Sequence, residues 1–178
     1  MIQKIIKIAV ILSFAFVGMN LNAQENGFVF RPLFAGGGGA AVFDGFGGYA
    51  IGGIGEFALL LYERDLQFGL HFGGRGNTIT SSSGNRYGSG SLMSRISLGG
   101  FWPRDFLRSY SFIEGGIGFG AGNNTTAMNI IFGGGGGLDL FFNRHGSVYL
   151  EIGYLQHHIN NELIGGISIN IGTRRFFR

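Results

Sequence analysis

The chain has 178 residues, of which 36 are Gly, 2 Pro and none Cys, with 45% hydrophobic, 15% aromatic and 13% charged residues and a formal charge of +3. The lack of Cys excludes a disulfide-stapled domain and a thiolate metal site, and so much apolar and so little charged content excludes a disordered chain. Gly at one residue in five without a collagen period argues against helix, where each interior Gly costs about 1 kcal/mol relative to Ala, and points to a single β domain.

At the N-terminus, Lys4 and Lys7 precede the apolar run 8–19, and Leu21-Asn22-Ala23 before Gln24 places a small residue at a cleavage position. This is the pattern of a secretory signal peptide over residues 1–23. The run is shorter than the roughly 20 apolar residues a helix needs to span a bilayer. Cleavage takes both lysines from the 13 basic residues and leaves residues 24–178 with 11 arginines against 10 acidic residues. With the charge so nearly balanced, no nucleic-acid partner is expected.

From there on, apolar residues recur at every second position, which is the period of strands. The first half carries Phe28, Phe30 and Phe34; Tyr49, Ile51 and Phe57; Leu66, Phe68, Leu70 and Phe72; and Leu92, Ile96 and Leu98. The second half carries Ile113, Ile117 and Phe119; Met128, Ile130 and Phe132; Val148, Leu150, Ile152 and Tyr154; and Ile167, Ile169 and Ile171. Eight strands of about ten residues are expected, ten being the length at which a tilted strand crosses a membrane. The fold class is therefore all-β, an eight-stranded antiparallel up-and-down transmembrane barrel over residues 24–178.

The connections alternate in character. After the second, fourth and sixth strands come Tyr62-Glu63-Arg64-Asp65, Trp102-Pro103-Arg104-Asp105-Phe106 and Phe141-Phe142-Asn143-Arg144-His145, charged turns set among aromatics. The other connections are polar or Gly-rich, the longest being 77–90, with Thr78, Ser81, Ser82, Ser83 and Asn85. Short turns at one end and longer loops at the other are the expected asymmetry of an outer-membrane barrel, with strand-end aromatics as its interfacial girdles. Arg64, Arg104, Arg108, Arg144, Arg174, Arg175 and Arg178 map to the turn end and the C-terminal tail, where they are expected to meet headgroup phosphates.

Arg31, Glu56, His71, Arg95, Glu114, Glu151 and Asn170 fall on the parity opposite to the apolar set. In a closed barrel they converge on the lumen as a polar network of three carboxylates with two guanidiniums, each charge needing a partner. An eight-stranded barrel has an interior just wide enough for side chains. Gly36 to Gly39, Gly52, Gly116, Gly118, Gly133 to Gly137 and Gly153 are expected to provide the room and the tight coiling.

The pattern resembles the small eight-stranded outer-membrane barrels of the OmpX and OmpA transmembrane-domain type. The local marks are Phe112-Ile113-Glu114-Gly115-Gly116-Ile117-Gly118 and Val148-Tyr149-Leu150-Glu151-Ile152-Gly153-Tyr154, strands with an inward Glu beside small residues, and a last strand at 165–172 like the signal read by the barrel-assembly machinery. Family members usually end on an aromatic strand terminus, whereas here Ile171 is followed by Gly172-Thr173-Arg174-Arg175-Phe176-Phe177-Arg178. The resemblance implies a Gram-negative outer membrane, with membrane lipid and lipopolysaccharide as partners and the assembly machinery engaged during insertion. From Phe112 onward the chain also resembles the lipid A 3-O-deacylase family, whose His-x-Ser-Asn motif matches His158-Ile159-Asn160-Asn161. That resemblance implies a site of His158, Asn160 and Glu162, yet Asn160 stands where the nucleophilic hydroxyl belongs and an amide cannot replace it. Ser168 falls on the other face of the next strand.

No cofactor or metal is expected. His157-His158 point to opposite faces of a strand with no completing ligands, and the run of Gly133 to Gly137 lacks the following Gly-Lys-Ser/Thr of a phosphate loop. The expected function is that of a non-enzymatic integral barrel with a narrow plugged lumen, serving membrane integrity or surface interaction. The alternative is a deacylase-like barrel lacking its nucleophile.

Overall fold

The computed structural model describes residues 29–43, 48–63, 66–80, 86–101, 106–122, 125–159 and 162–177. The signal segment expected at 1–23 lies outside these. Eight strands follow in order, β1 Val29–Phe43, β2 Tyr49–Glu63, β3 Leu66–Thr80, β4 Arg86–Phe101, β5 Leu107–Gly122, β6 Thr125–Asn143, β7 Gly146–Ile159 and β8 Glu162–Phe176. Each pairs antiparallel with the next, and β1 pairs with β8 from Leu33 opposite Phe176 to Phe43 opposite Gly166, which closes the barrel. Closure leaves no edge, the one way a sheet satisfies its backbone polar groups where no water is available.

The strands are 14 to 19 residues long, longer than the ten expected. The reason is that apolar alternation marks only the stretch that faces hydrocarbon, while ladder hydrogen bonds continue through Gly, Ser, Thr and Asn. Much of the presumed loop 77–90 is accordingly strand, with Asn77 opposite Ser89 and Thr80 opposite Arg86. Between strand bounds the connections run to two or five residues at both ends, so the expected contrast in loop length is not present. The first and last strands begin and end at the turn end, and β8 continues as far as Phe176.

Alternation sorts the faces as the sequence suggested. Phe34, Ile51, Phe57, Phe68, Leu70, Phe72, Leu92, Ile96, Ile113, Ile117, Phe119, Phe132, Leu150, Ile152, Ile167, Ile169 and Ile171 all face outward. Glycine follows the same alternation. Only every second residue of the runs Gly36 to Gly39 and Gly133 to Gly137 faces the lumen, so the runs provide inner room at alternate positions and leave bare outer wall at the others. At the inward positions the wall is close: the Tyr149 hydroxyl lies over Gly37 and the Tyr110 ring over Gly137, aromatic side chains filling space that glycine leaves.

The lumen is not polar throughout. At the turn end Leu33, Ala35, Ala58, Leu60, Tyr149 and Phe176 form a buried apolar cluster, and at the loop end Ala41, Ala50, Ile79, Ile159 and Ile164 form another. Across the turn-end mouth, Tyr62, Phe101, Phe141 and Phe176 follow one another with ring centroids 5.8, 5.6 and 5.3 Å apart, one ring from each even-numbered strand. Charged side chains fill the lumen between the two clusters, and Arg108 and Arg174 reach among the rings of the turn-end one.

Candidate functional site: the charged lumen

Four guanidiniums (Arg75, Arg95, Arg108, Arg174) and four carboxylates (Glu56, Glu114, Asp139, Glu151) are buried inside the barrel. Most join in one string of alternating sign. Arg75 meets Glu114 at 3.0 Å; Glu114 meets Arg95 at 2.7 Å; Arg95 meets Glu151 at 2.7 Å. The string continues from Glu151 to Arg174 at 2.9 Å, from Arg174 to Asp139 at 2.6 Å, and from Asp139 to Arg108, whose other amino group donates to Gln67. Glu56 stands beside the string, 3.6 Å from Arg95 and 3.7 Å from Arg174, and accepts a hydrogen bond from His71 Nδ1 at 3.1 Å. His71 Nε2 is 2.8 Å from the Ser97 hydroxyl, and the Tyr110 hydroxyl donates to Glu151 at 2.8 Å.

Register explains part of this. Arg95 lies directly opposite His71 on β3 and opposite Glu114 on β5, and Arg108 lies opposite Asp139 on β6. The pairs Arg95–Glu114 and Arg108–Asp139 put opposite charges side by side on the inner face. The contact from β4 to β7 is made across the lumen and exists only because the barrel is closed and narrow, while that from β3 to β5 bridges the inner face of β4. Aromatic faces add to the packing: Arg174 lies between Tyr110 and Tyr149 at 4.7 and 4.4 Å, and Arg95 over Phe112 at 4.2 Å. A guanidinium between ring faces keeps its edge free to donate to carboxylates.

Mutual pairing is what makes burial of so many charges tolerable. Each charge removed from water loses several kcal/mol of solvation, recovered only where geometry and hydrogen bonds are good. The lumen has little space left. Two cavities adjoin the string, one lined by Arg75, Asn77, Ser168 and Asn170 and one by Glu56, His71, Arg95 and Glu114. Each has room for about one water molecule.

Of the expected lumenal residues, the structure brings Glu56, His71, Arg95, Glu114 and Glu151 together, buries Asn170 at the first cavity, and leaves Arg31 half-buried and outside the string. Two arginines assigned to headgroup contact are corrected: Arg108 and Arg174 are fully buried lumenal residues paired to Asp139. Arg75, Asp139 and Gln67 belong to the network and escaped the sequence reading. All of them obey inward parity. Arg75 and Asp139 lie beyond the ten-residue strands expected, whereas Gln67 lies inside the third of them, between Leu66 and Phe68.

His158 is exposed on the outer face of β7, whereas His157 is buried on the inner face beside Asn129 at 3.2 Å. Ser168 faces the lumen, on the opposite side of the wall from His158. Asn160 and the side chain of Glu162 lie outside the described residues.

No protein-family model matches the chain. No curated protein matches it in sequence. Among solved structures, the crystal structure of Neisserial surface protein A superposes with a TM-score of 0.53 at 16% identity, over 85% of this chain and 100% of that one. An outer membrane channel from Pseudomonas putida F1 gives a TM-score of 0.31 at 9% identity over 89% of this chain and 98% of that one. The chain thus has the closed eight-stranded antiparallel fold of a small outer-membrane barrel.

Proposed function

We propose that the chain is an integral protein of a Gram-negative outer membrane, non-enzymatic, with a plugged lumen, acting through its wall and its exposed ends in membrane integrity or surface interaction. One observation carries this reading: the faces are inverted relative to a water-soluble barrel. Large apolar side chains cover the outside while the four described carboxylates are buried inside with guanidinium partners. Such a wall is stable in hydrocarbon and would aggregate in water.

The same inner face supports a non-conducting role. A string of paired charges spans the lumen, and an apolar cluster sits at each end of it. A hydrated ion would have to displace all of these. Ser97, His71 and Glu56 follow one another in the order hydroxyl, imidazole, carboxylate. Ser97 is buried over Gly69 beside Leu60 of the turn-end cluster, which leaves an acyl ester no path to its hydroxyl.

Membrane fractionation with heat-modifiable gel mobility tests the location and the barrel together; a soluble periplasmic product overturns both. In planar bilayers no conductance of porin size is expected, and a stable one overturns the plugged lumen. The lipid A mass spectrum is expected to be unchanged on expression. Loss of one acyl chain would establish the deacylase reading instead.

A further inference from the structure

Arg174, Arg175 and Phe176 alternate across the wall at the end of β8: Arg174 and Phe176 are buried in the lumen, and Arg175 between them faces out. Along the outer face of β8, Arg175 follows Ile167, Ile169, Ile171 and Thr173, all exposed. Its guanidinium therefore stands at the border of the apolar belt, two outward positions past the last Ile.

We propose that Arg175, together with Arg144 and the rings of Phe34, Phe142 and Phe177, is a binding surface for the phosphate of an anionic phospholipid. The inference rests on the outer-membrane reading above and deepens it by naming a partner and the place where it binds.

Arg175 is opposite Phe34 on β1 and opposite Gly146 on β7. On the β1 side, Phe34 and Phe177 meet edge to face at 5.6 Å, and the Arg175 guanidinium carbon lies 5.9 Å from the Phe177 ring. On the β7 side, the Phe142 ring covers Gly146, which has no side chain to lift it away. The cation is thus flanked by rings on both sides. Rings at this depth sit against the upper acyl and glycerol region, and a guanidinium pairs with phosphate oxygens through two parallel hydrogen bonds.

Arg144 is held in the same sector. It occupies the turn between β6 and β7, and the His145 carbonyl of that turn accepts the Phe176 N–H at 2.9 Å, tying the turn to the end of β8. Charge complementarity favours an anion here. The described carboxylates are committed to partners in the lumen, and none faces outward to pair with Arg144 or Arg175. Orientation favours phospholipid over lipopolysaccharide: an even number of strands leaves both termini on the side from which the chain inserts, which for an exported chain is the periplasm.

Native mass spectrometry of the full chain, released from detergent containing equal phosphatidylglycerol and phosphatidylcholine, tests this. All samples are first scored for heat-modifiable mobility. Wild type is expected to retain phosphatidylglycerol over phosphatidylcholine by about fivefold, the effect of one well-placed arginine near a lipid surface. Arg175→Gln should bring retention close to parity and Arg144→Gln should reduce it. Arg86→Gln, on the outer face at the opposite end, should leave it unchanged. Equal retention of the two lipids by a heat-modifiable wild type, or equal losses in the Arg175 and Arg86 variants, overturns the lipid surface and leaves the barrel standing. A chain with no heat-modifiable form overturns both.

Discussion

Gly135 on β6 and Gly55 on β2 belong to the same wall, yet a methyl group added to each would meet different surroundings. At Gly135, which faces in, it would come within 2.6 Å of the Gly153 Cα and 3.0 Å of the Ile152 carbonyl carbon. At Gly55, which faces out, it would meet nothing within 4 Å. Gly153 and Gly118 behave as Gly135 does, crowded by backbone of the neighbouring strand, while Gly88 and Gly90 are as open as Gly55. The outer glycines also adjoin one another, Gly36 opposite Gly55 and Gly55 opposite Gly74, then Gly53 opposite Gly76 and Gly76 opposite Gly90. Composition alone counts these residues as one class. The fold divides them into glycines that a narrow, strongly coiled barrel requires and glycines that it merely accepts.

The charges divide in the same way, and the largest effect is expected from breaking the inner face. Arg95→Met removes one of the two guanidinium partners of Glu114 and of Glu151 and should cost about 3–5 kcal/mol, the usual penalty of breaking a buried ion pair. Urea unfolding of the refolded barrel, followed by gel mobility, measures it, and adding Glu114→Gln should recover part of the loss. A cost below about 1 kcal/mol would mean the string is not mutually dependent. On the outer face, Ile113→Arg places a charge against hydrocarbon near the middle of β5 and should cost about 2–4 kcal/mol in the same assay.

The glycine pair gives the smaller and more discriminating test. Gly135→Val should destabilise by about 1–3 kcal/mol, the range for forcing extra volume into a packed site. Gly55→Val should stay within about 0.5 kcal/mol of wild type, as for a substitution that disturbs no packed site. Equal losses in the two variants would show that something beyond inner crowding selects glycine on the outer wall.

What was readable beforehand depended on the range over which each signal acts. Parity acts residue by residue, so Glu56, His71, Arg95, Glu114 and Glu151 could be assigned to one face from the residues between Phe57 and Ile152 that alternate with them. The limits of the strands were not readable in the same way. Alternation fades where Gly, Ser and Thr replace Ile and Phe, although the ladder continues; Arg75, Arg108 and Arg174 sit in those stretches, and Asp139 lies past one, between Leu138 and Leu140. Arg174 and Arg175 show the consequence: adjacent, chemically identical, and on opposite sides of the wall.

By itself the sequence determined the all-β class, the strand order and the inversion of polarity between the faces, because each follows from a period of two and from local composition. Tertiary closure alone decided the partners. Arg95 meets Glu151 across a lumen whose width is set by strand number and coiling, and Arg174 meets Glu56 over the inner face of β1. No spacing along the chain encodes those distances, since the residues come together only when β8 has paired with β1.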